Sequence, residues 1–222
     1  MKFSIYSFFL FYFIFQGFSQ SKKDIEKALF NPSYKELKTK GNMIEYFDSI
    51  GYVYSNFKYN VATKIPKKWK YDQGLTKHMI FRAYDADSAY TYSINVIETK
   101  YNVQKIFDKE YNKSKDLFKN KFIEATQAQL NTQIYDVYDR LTYLKNRKSI
   151  RWEYKFMAKG DDYEIEMISI MFQVMIDNLT YTFGVSAPII YYNKNPRFFN
   201  TIFNGIHFMP DKTKLKKILI GE

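Results

Sequence analysis

The chain has no cysteine among its 222 residues. It therefore has no disulfide framework, no cysteine metal site and no cysteine that could carry a lipid anchor. Glycine and proline are also scarce, with eight and five residues respectively. Because no long stretch rich in these residues interrupts the chain, we predict one domain whose own apolar core has to stabilise it.

Residues of the kinds that enzymes use in catalysis are few. The only histidines are His78 and His207, and neither belongs to a pair at the spacing of metal ligands. The stretch GVSAP at 184–188 lacks the second glycine of a nucleophile elbow. A calcium loop starting at Asp85 fails, because Ala89 stands where an oxygen ligand is needed. We therefore predict no catalytic residue, metal ion or cofactor.

Basic residues outnumber acidic ones by 34 to 23, which gives the chain a net charge of +11. Such an excess often indicates an anionic partner. Here lysine greatly outnumbers arginine, the residue that binds phosphate in a bidentate manner. We therefore predict no nucleic-acid partner, and we leave open a weak association with an anionic membrane surface.

The longest apolar run covers residues 3–15, directly after Lys2. It is shorter than the about 20 residues that a membrane-spanning helix needs. Gly17 and Ser19 are small residues at the positions that a signal peptidase requires before Gln20. We predict a signal peptide over residues 1–19 and a protein located in the periplasm or outside the cell. Retention of this segment as an uncleaved membrane anchor is the alternative.

The remaining sequence divides into three segments. Residues 20–50 have short helical patterns and are interpreted as an N-terminal helical extension. Residues 51–210 form the predicted domain, and residues 211–222 are a basic C-terminal tail.

Alternating apolar and polar residues predict about seven strands in the domain. They cover residues 53–65, 78–84, 90–96, 133–145, 150–156, 163–176 and 179–185. Asp177 and Asn178 form a two-residue link of the kind found in tight hairpins. Within 163–176 the apolar positions change from odd to even numbers, which indicates a bulge or a strand buried on both faces.

Two helices accompany these strands. Apolar residues at three- and four-residue spacing predict one long amphipathic helix over 103–125. A last helix is predicted to begin with Asn195 as its N-cap and to end near Gly205. The order of elements predicts an α+β fold, an antiparallel sheet of about seven strands with helices packed on it.

Two motifs in this order carry a family resemblance. The first is Ile65, Pro66 and Trp69 after a strand, and the second is a set of spaced apolar residues near the end of the domain, which are Phe199, Ile202, Phe203 and Phe208. Over roughly residues 50–210 the chain resembles the PsbP/Mog1-like family. The resemblance implies an α/β/α sandwich, and Lys68 stands where the family usually has glycine. Members include a photosystem accessory subunit, a nuclear transport factor and exported bacterial proteins.

The resemblance also suggests a role for the lysine-rich stretch KIPKKWKYDQG at 64–74. Pro66 ends the strand because it has no N–H to donate, and Trp69 then folds back into the core. Lys64, Lys67, Lys68 and Lys70 would form a solvated rim. In the alternative, Trp69 is exposed and binds a membrane interface.

We interpret the chain as an exported, non-enzymatic accessory or protein-binding domain of the cell envelope, with an envelope protein as its partner. Tyr191, Tyr192 and Arg197 are the candidate binding residues, because they combine aromatic and charged groups in a predicted loop before a helix. The alternative is a small-ligand carrier or a hydrolase that uses a cavity between sheet and helix.

Overall fold

The three-dimensional structure is a computed structural model that describes residues 42–47, 51–72, 78–85, 87, 89–159 and 163–208. The predicted signal peptide, most of the predicted N-terminal extension and the basic C-terminal tail lie outside these residues. The boundaries of those segments therefore stay predictions.

A seven-stranded antiparallel sheet forms the centre of the fold. Its strands, in spatial order, are β4 (Lys70–Asp72), β5 (Met79–Asp85), β6 (Tyr90–Glu98), β10 (Leu179–Pro188), β9 (Glu164–Ile176), β8 (Arg147–Lys159) and β7 (Ile134–Leu144). A smaller antiparallel sheet contains β1 (Asn42–Phe47), β2 (Gly51–Asn56), β3 (Val61–Ile65) and β11 (Ile206–Phe208). The helices are α1 (Val103–Glu110), α2 (Lys115–Leu130), α3 (Ile189–Lys194) and α4 (Arg197–Asn204). The predicted α+β fold with an antiparallel sheet of about seven strands is confirmed.

Each face of the large sheet has its own apolar core. On one face, α1 and α2 pack against β8 and β9, and the ring of Phe122 stacks on Trp152 with centroids 4.0 Å apart. On the other face, the small sheet and α4 pack against β5, β6 and β10, where Tyr54 stacks on Phe81 at 4.3 Å. Burial of these large side chains contributes about 1.5–3 kcal/mol each to stability.

The N-terminal part of the sequence prediction needs two corrections. Residues 53–65 were expected to form one strand, but they form the hairpin β2–β3. Its turn is stabilised by Asn60, which has a φ of 51°, and by Asn56, whose side chain accepts a hydrogen bond from the Tyr59 N–H at 3.0 Å. The helical prediction for residues 42–47 is wrong, because this segment pairs with β2 along its whole length as β1. Such long-range pairing overrides local helical preference.

The predicted long helix over 103–125 is divided into α1 and α2. A 3-10 turn at Tyr111–Lys113 follows α1, and Ser114, with a φ of −130°, is not helical. At this break the Tyr111 hydroxyl donates a hydrogen bond to Asp139 on β7, at 3.2 Å. The helical layer therefore covers β7, β8 and β9 in two sections.

Two details of the predicted hairpin β9–β10 are confirmed. Ile176 pairs with Leu179, so Asp177 and Asn178 alone connect the strands, and Asp177 has the positive φ of 52° that a tight turn uses. Strand β9 pairs with β8 and β10 without a register shift. It is buried on both faces, so the second of the two explanations for its change of parity is correct.

Trp69 belongs to the core, as predicted. The backbone N–H of Trp69 donates a hydrogen bond to the Pro66 carbonyl at 3.0 Å, which closes a turn after β3. The residue is only 5% exposed. Ile65, Phe199 and Phe203 are buried in the same core. The alternative of an exposed tryptophan at a membrane interface is therefore wrong. The neighbouring Lys67, Lys68 and Lys70 are exposed.

Candidate binding surface

The predicted binding residues lie on two short helices. Tyr191 and Tyr192 are in α3, so the prediction that they lie in a loop is wrong, and Arg197 is the first residue of α4. Asn195, the predicted N-cap of the last helix, instead follows the end of α3. Pro188 ends the long strand β10 and is directly followed by α3, which places this helix at the end of the large sheet.

The two tyrosines are half-buried, whereas Arg197 is exposed. The Tyr90 hydroxyl donates a hydrogen bond to the Tyr191 carbonyl at 3.1 Å. The Tyr192 ring contacts Phe199 edge to face at a centroid distance of 5.0 Å. Both tyrosines therefore support the packing of α3 and leave only part of each ring accessible.

Tyr192 lies beside charged residues of β8. Burial raises the pKa of its hydroxyl, the Glu153 carboxylate raises it further, and the Arg151 guanidinium has the opposite effect. Arg151 Nη2 donates to Glu153 Oε2 at 2.7 Å. The predicted site on α3 is therefore continuous with a charged surface that was not predicted.

That surface is an open groove of about 350 Å³, lined by Tyr138, Asp139, Arg140, Arg151 and Glu153. We call it the β7–β8 groove. In the strand register Arg140 is opposite Arg151, and Tyr138 is opposite Glu153. Like charges at directly opposite positions destabilise a strand pair. Glu153 compensates one of the two arginines by its ion pair with Arg151.

Arg140 differs from Arg151 in having no counter-ion. Its guanidinium makes no ion pair or hydrogen bond to any residue in the described part of the chain. Beside it, the Tyr138 side chain is 66% exposed. Tyrosine and arginine are enriched at protein interfaces, so the groove has the composition of a binding surface.

Asp139 attaches this surface to the helical layer. Its side chain is 5% exposed and forms ion pairs with Lys115 at 3.3 Å and Lys119 at 3.5 Å. The same carboxylate accepts the hydrogen bond from the Tyr111 hydroxyl. Because its charge is compensated by two lysines, Asp139 is a structural residue that fixes β7 against α2.

The sequence prediction missed the groove, although a signal for it was present. Arg140 and Arg151 are two of only five arginines in the chain. They are equally distant from the two-residue turn Lys145-Asn146, where both residues have a positive φ. A hairpin assigned to that turn would have placed the two arginines opposite each other.

A second polar region lies on the helix side of the large sheet. Ser93 and Asn95 on β6 are opposite Gly184 and Thr182 on β10, and all three side chains are buried. The Thr182 hydroxyl has no hydrogen-bond partner in the described part of the chain. Buried hydroxyl groups are usually paired, so this row is unusual for the covered face of a sheet.

Across the described ranges, no three histidine, aspartate or glutamate side chains come together in a way that could hold a metal ion. Burial lowers the pKa of His207 to about 4, and nearby Lys145 and Lys64 lower it in the same direction. His207 is therefore neutral at physiological pH. None of the helices in the described segments is long and apolar enough to cross a membrane.

The structure has an α+β fold that resembles the fold of PsbP. Cyanobacterial PsbP (CyanoP) from Synechocystis has a similar structure, with a TM-score of 0.50 and 16% identity over 70% of this chain and 91% of that protein. LpqN, involved in cell envelope biogenesis of Mycobacterium tuberculosis, gives a TM-score of 0.41 and 8% identity, over 76% of this chain and 91% of LpqN. A protein of Bacteroides thetaiotaomicron gives a TM-score of 0.41 and 9% identity, over 68% of this chain and 46% of its own length.

No family model and no curated protein matches the sequence. The similarity to PsbP therefore concerns the fold.

Proposed function

We propose that the chain is an exported, non-enzymatic accessory domain that binds a protein partner at the cell envelope. The observation that carries this proposal is the β7–β8 groove, in which an exposed Tyr138 and an Arg140 with no counter-ion among the described residues lie opposite Glu153 and Arg151 of β8. Tyrosine and arginine side chains contribute much of the binding energy at protein interfaces when a partner buries them. The likeness in fold to PsbP is compatible with this role.

Export is the part of the proposal that depends on the N-terminal sequence. The apolar run at 3–15 and the small residues Gly17 and Ser19 support cleavage before Gln20. Mass spectrometry of the protein purified from the envelope of its host tests this directly. A chain that begins at Gln20 is the expected result, and a chain that still begins at Met1 would contradict cleavage.

Affinity capture from envelope extracts tests the binding function. The tagged protein should recover one specific protein, and Tyr138→Ala combined with Arg197→Ala should reduce that recovery several-fold. Both side chains are exposed, so these changes spare the core, which alanine at the half-buried Tyr191 and Tyr192 would disturb. Lys67→Ala combined with Lys68→Ala is the matched control, because these exposed residues lie outside the groove.

Two results decide the outcome of the capture. No specific partner from any extract would contradict the binding function. Recovery that is unchanged by the double substitution would support the binding function and would show that the partner binds a surface other than the β7–β8 groove.

A second candidate function is a carrier of a small polar ligand. The buried row of Ser93, Asn95 and Thr182 favours it, because the Thr182 hydroxyl finds no hydrogen-bond partner among the described residues and a ligand could supply one. A thermal-shift screen with sugars and amino acids tests it. The expected result for a carrier is stabilisation by one compound that is lost in Thr182→Val.

A further inference from the structure

Strand β7 is the edge of the large sheet, next to β8 alone. It has 11 residues, whereas β4 at the opposite edge has three. No strand among the residues that the structure describes pairs with the outer side of β7. An edge of this length presents a row of backbone N–H and C=O groups that can pair with another chain.

Natural proteins usually protect such an edge, but among the residues that the structure describes β7 is protected only at its start. The register shifts between Tyr135 and Tyr138, where Asp136 has a φ of 50°. A β-bulge therefore interrupts the hydrogen bonds between β7 and β8 near the start of β7. After it, the segment 138–144 pairs with β8 without a shift. Its sequence, YDRLTYL, contains no proline, glycine or lysine. The one acidic residue, Asp139, is neutralised by lysines of α2.

Both faces of this segment carry accessible side chains. Tyr138 and Arg140 face the β7–β8 groove, while Leu141 and Tyr143, which are 39% and 71% exposed, share the opposite face with Asp139. A strand added at this edge would have cross-strand neighbours on both of its faces. Cross-strand pairs that include an aromatic residue, such as Tyr138 or Tyr143, stabilise strand pairs by about 0.2–1 kcal/mol each.

The charge of the edge indicates which partner fits. Arg140 has no counter-ion within the described segments, and Arg151 lies next to it on β8. An added strand with glutamate or aspartate would supply the missing counter-ion. A second copy of this chain would not, because two protomers each carry a net charge of +11 and repel each other.

We propose that the edge of β7 binds an extended, acidic segment of a partner protein as an additional strand of the large sheet, with its carboxylates beside Arg140. This mode of recognition combines main-chain hydrogen bonds with side-chain specificity. The inference rests on the proposed protein-binding function and specifies both the surface and the chemistry of the partner.

The probe for the experiment is a capped peptide of alternating glutamate and valine, and its counterpart with lysine and valine is the charge control. Amide hydrogen exchange of the full chain is measured by NMR with each peptide. The glutamate peptide should bind and protect alternate amides within 138–144, and the lysine peptide should not. Arg140→Glu should weaken binding of the glutamate peptide at least tenfold. Lys68→Glu, an exposed residue with the same change in net charge, should leave it unchanged.

Several results would overturn the inference. They are equal binding of both peptides, protection of another edge instead of β7, and full binding by the Arg140→Glu variant. If, without peptide, the β7 amides become more protected from hydrogen exchange as the protein concentration rises, a second copy of the chain binds this edge, and the inference is contradicted. Partner capture that persists in Arg140→Glu would also contradict it and would leave the proposed function standing.

Discussion

The indole ring of Trp69 and the ring of Phe198 lie with their centroids 5.8 Å apart. This contact joins the turn after β3 to helix α4, two parts of the chain that are distant in sequence. Tyr90 on β6 contacts both rings, at 6.3 Å from Trp69 and 5.0 Å from Phe198. Trp69 therefore connects the turn, the last helix and the large sheet in one core.

Replacing Trp69 by alanine should destabilise the protein by about 3–5 kcal/mol, because a large buried ring is lost and a cavity remains. Urea unfolding measures the difference. Lys68→Ala is the control, since this exposed neighbour should change stability by less than about 0.5 kcal/mol. A change near zero for Trp69→Ala would show that the ring is not part of the core in solution.

The strand predictions succeeded where the residues of a segment alternate between apolar and polar. Strands β6, β8 and β10 have this pattern, because the apolar residues on one face of each strand pack in a core. The hairpin β2–β3 was not predicted, because the apolar residues used for the prediction stay at odd-numbered positions from β2 through the turn into β3. The positive φ of Asn60 and the hydrogen bond from the Tyr59 N–H to the Asn56 side chain mark the reversal of the chain.

The candidate site was only partly predictable for a similar reason. Tyr191, Tyr192 and Arg197 are close in sequence, so a search along the chain finds them. Arg140 and Arg151 become neighbours only through the register of β7 and β8. The register of two strands depends on which of their residues are buried on each face of the sheet. For β7 and β8 this burial depends on the packing of α1 and α2 against the large sheet, which the local sequence does not show.

Gly205 and Gly184 should respond differently to substitution by alanine. A Cβ at Gly205 would lie 3.1 Å from the Ile202 carbonyl oxygen and 3.1 Å from Lys64 Cβ, so the end of α4 would have to move away from β3. We expect Gly205→Ala to destabilise the protein by about 1–3 kcal/mol.

At Gly184 the nearest atom would be Cγ of Met171, at 3.4 Å, which is part of a flexible side chain. Gly184→Ala should therefore be nearly neutral, and it is the matched control in thermal unfolding. Equal losses of stability in the two variants would contradict the close approach of Gly205 to β3.

Asp139 and Tyr111 should be energetically coupled. In Asp139→Ala the Tyr111 hydroxyl loses its acceptor in a largely buried position, which should cost about 1–3 kcal/mol. Tyr111→Phe should cost less, because it removes the donor. The double substitution should cost less than the sum of the single ones, and a double-mutant cycle by urea unfolding measures this difference. Strict additivity would show that the hydrogen bond does not contribute to stability.

The stability of the fold should decrease as the pH falls from about 6.5 to about 4, because of His207. Burial lowers its pKa from the ordinary 6.5 to about 4, so in this range the unfolded chain binds a proton that the folded chain does not. The stabilisation is complete above pH 6.5 and is lost as the pH falls towards 4. Urea unfolding at pH 7 and pH 5 should show a smaller difference for His207→Gln than for the original chain. A folded-state NMR titration of His207 near pH 6.5 would contradict this explanation.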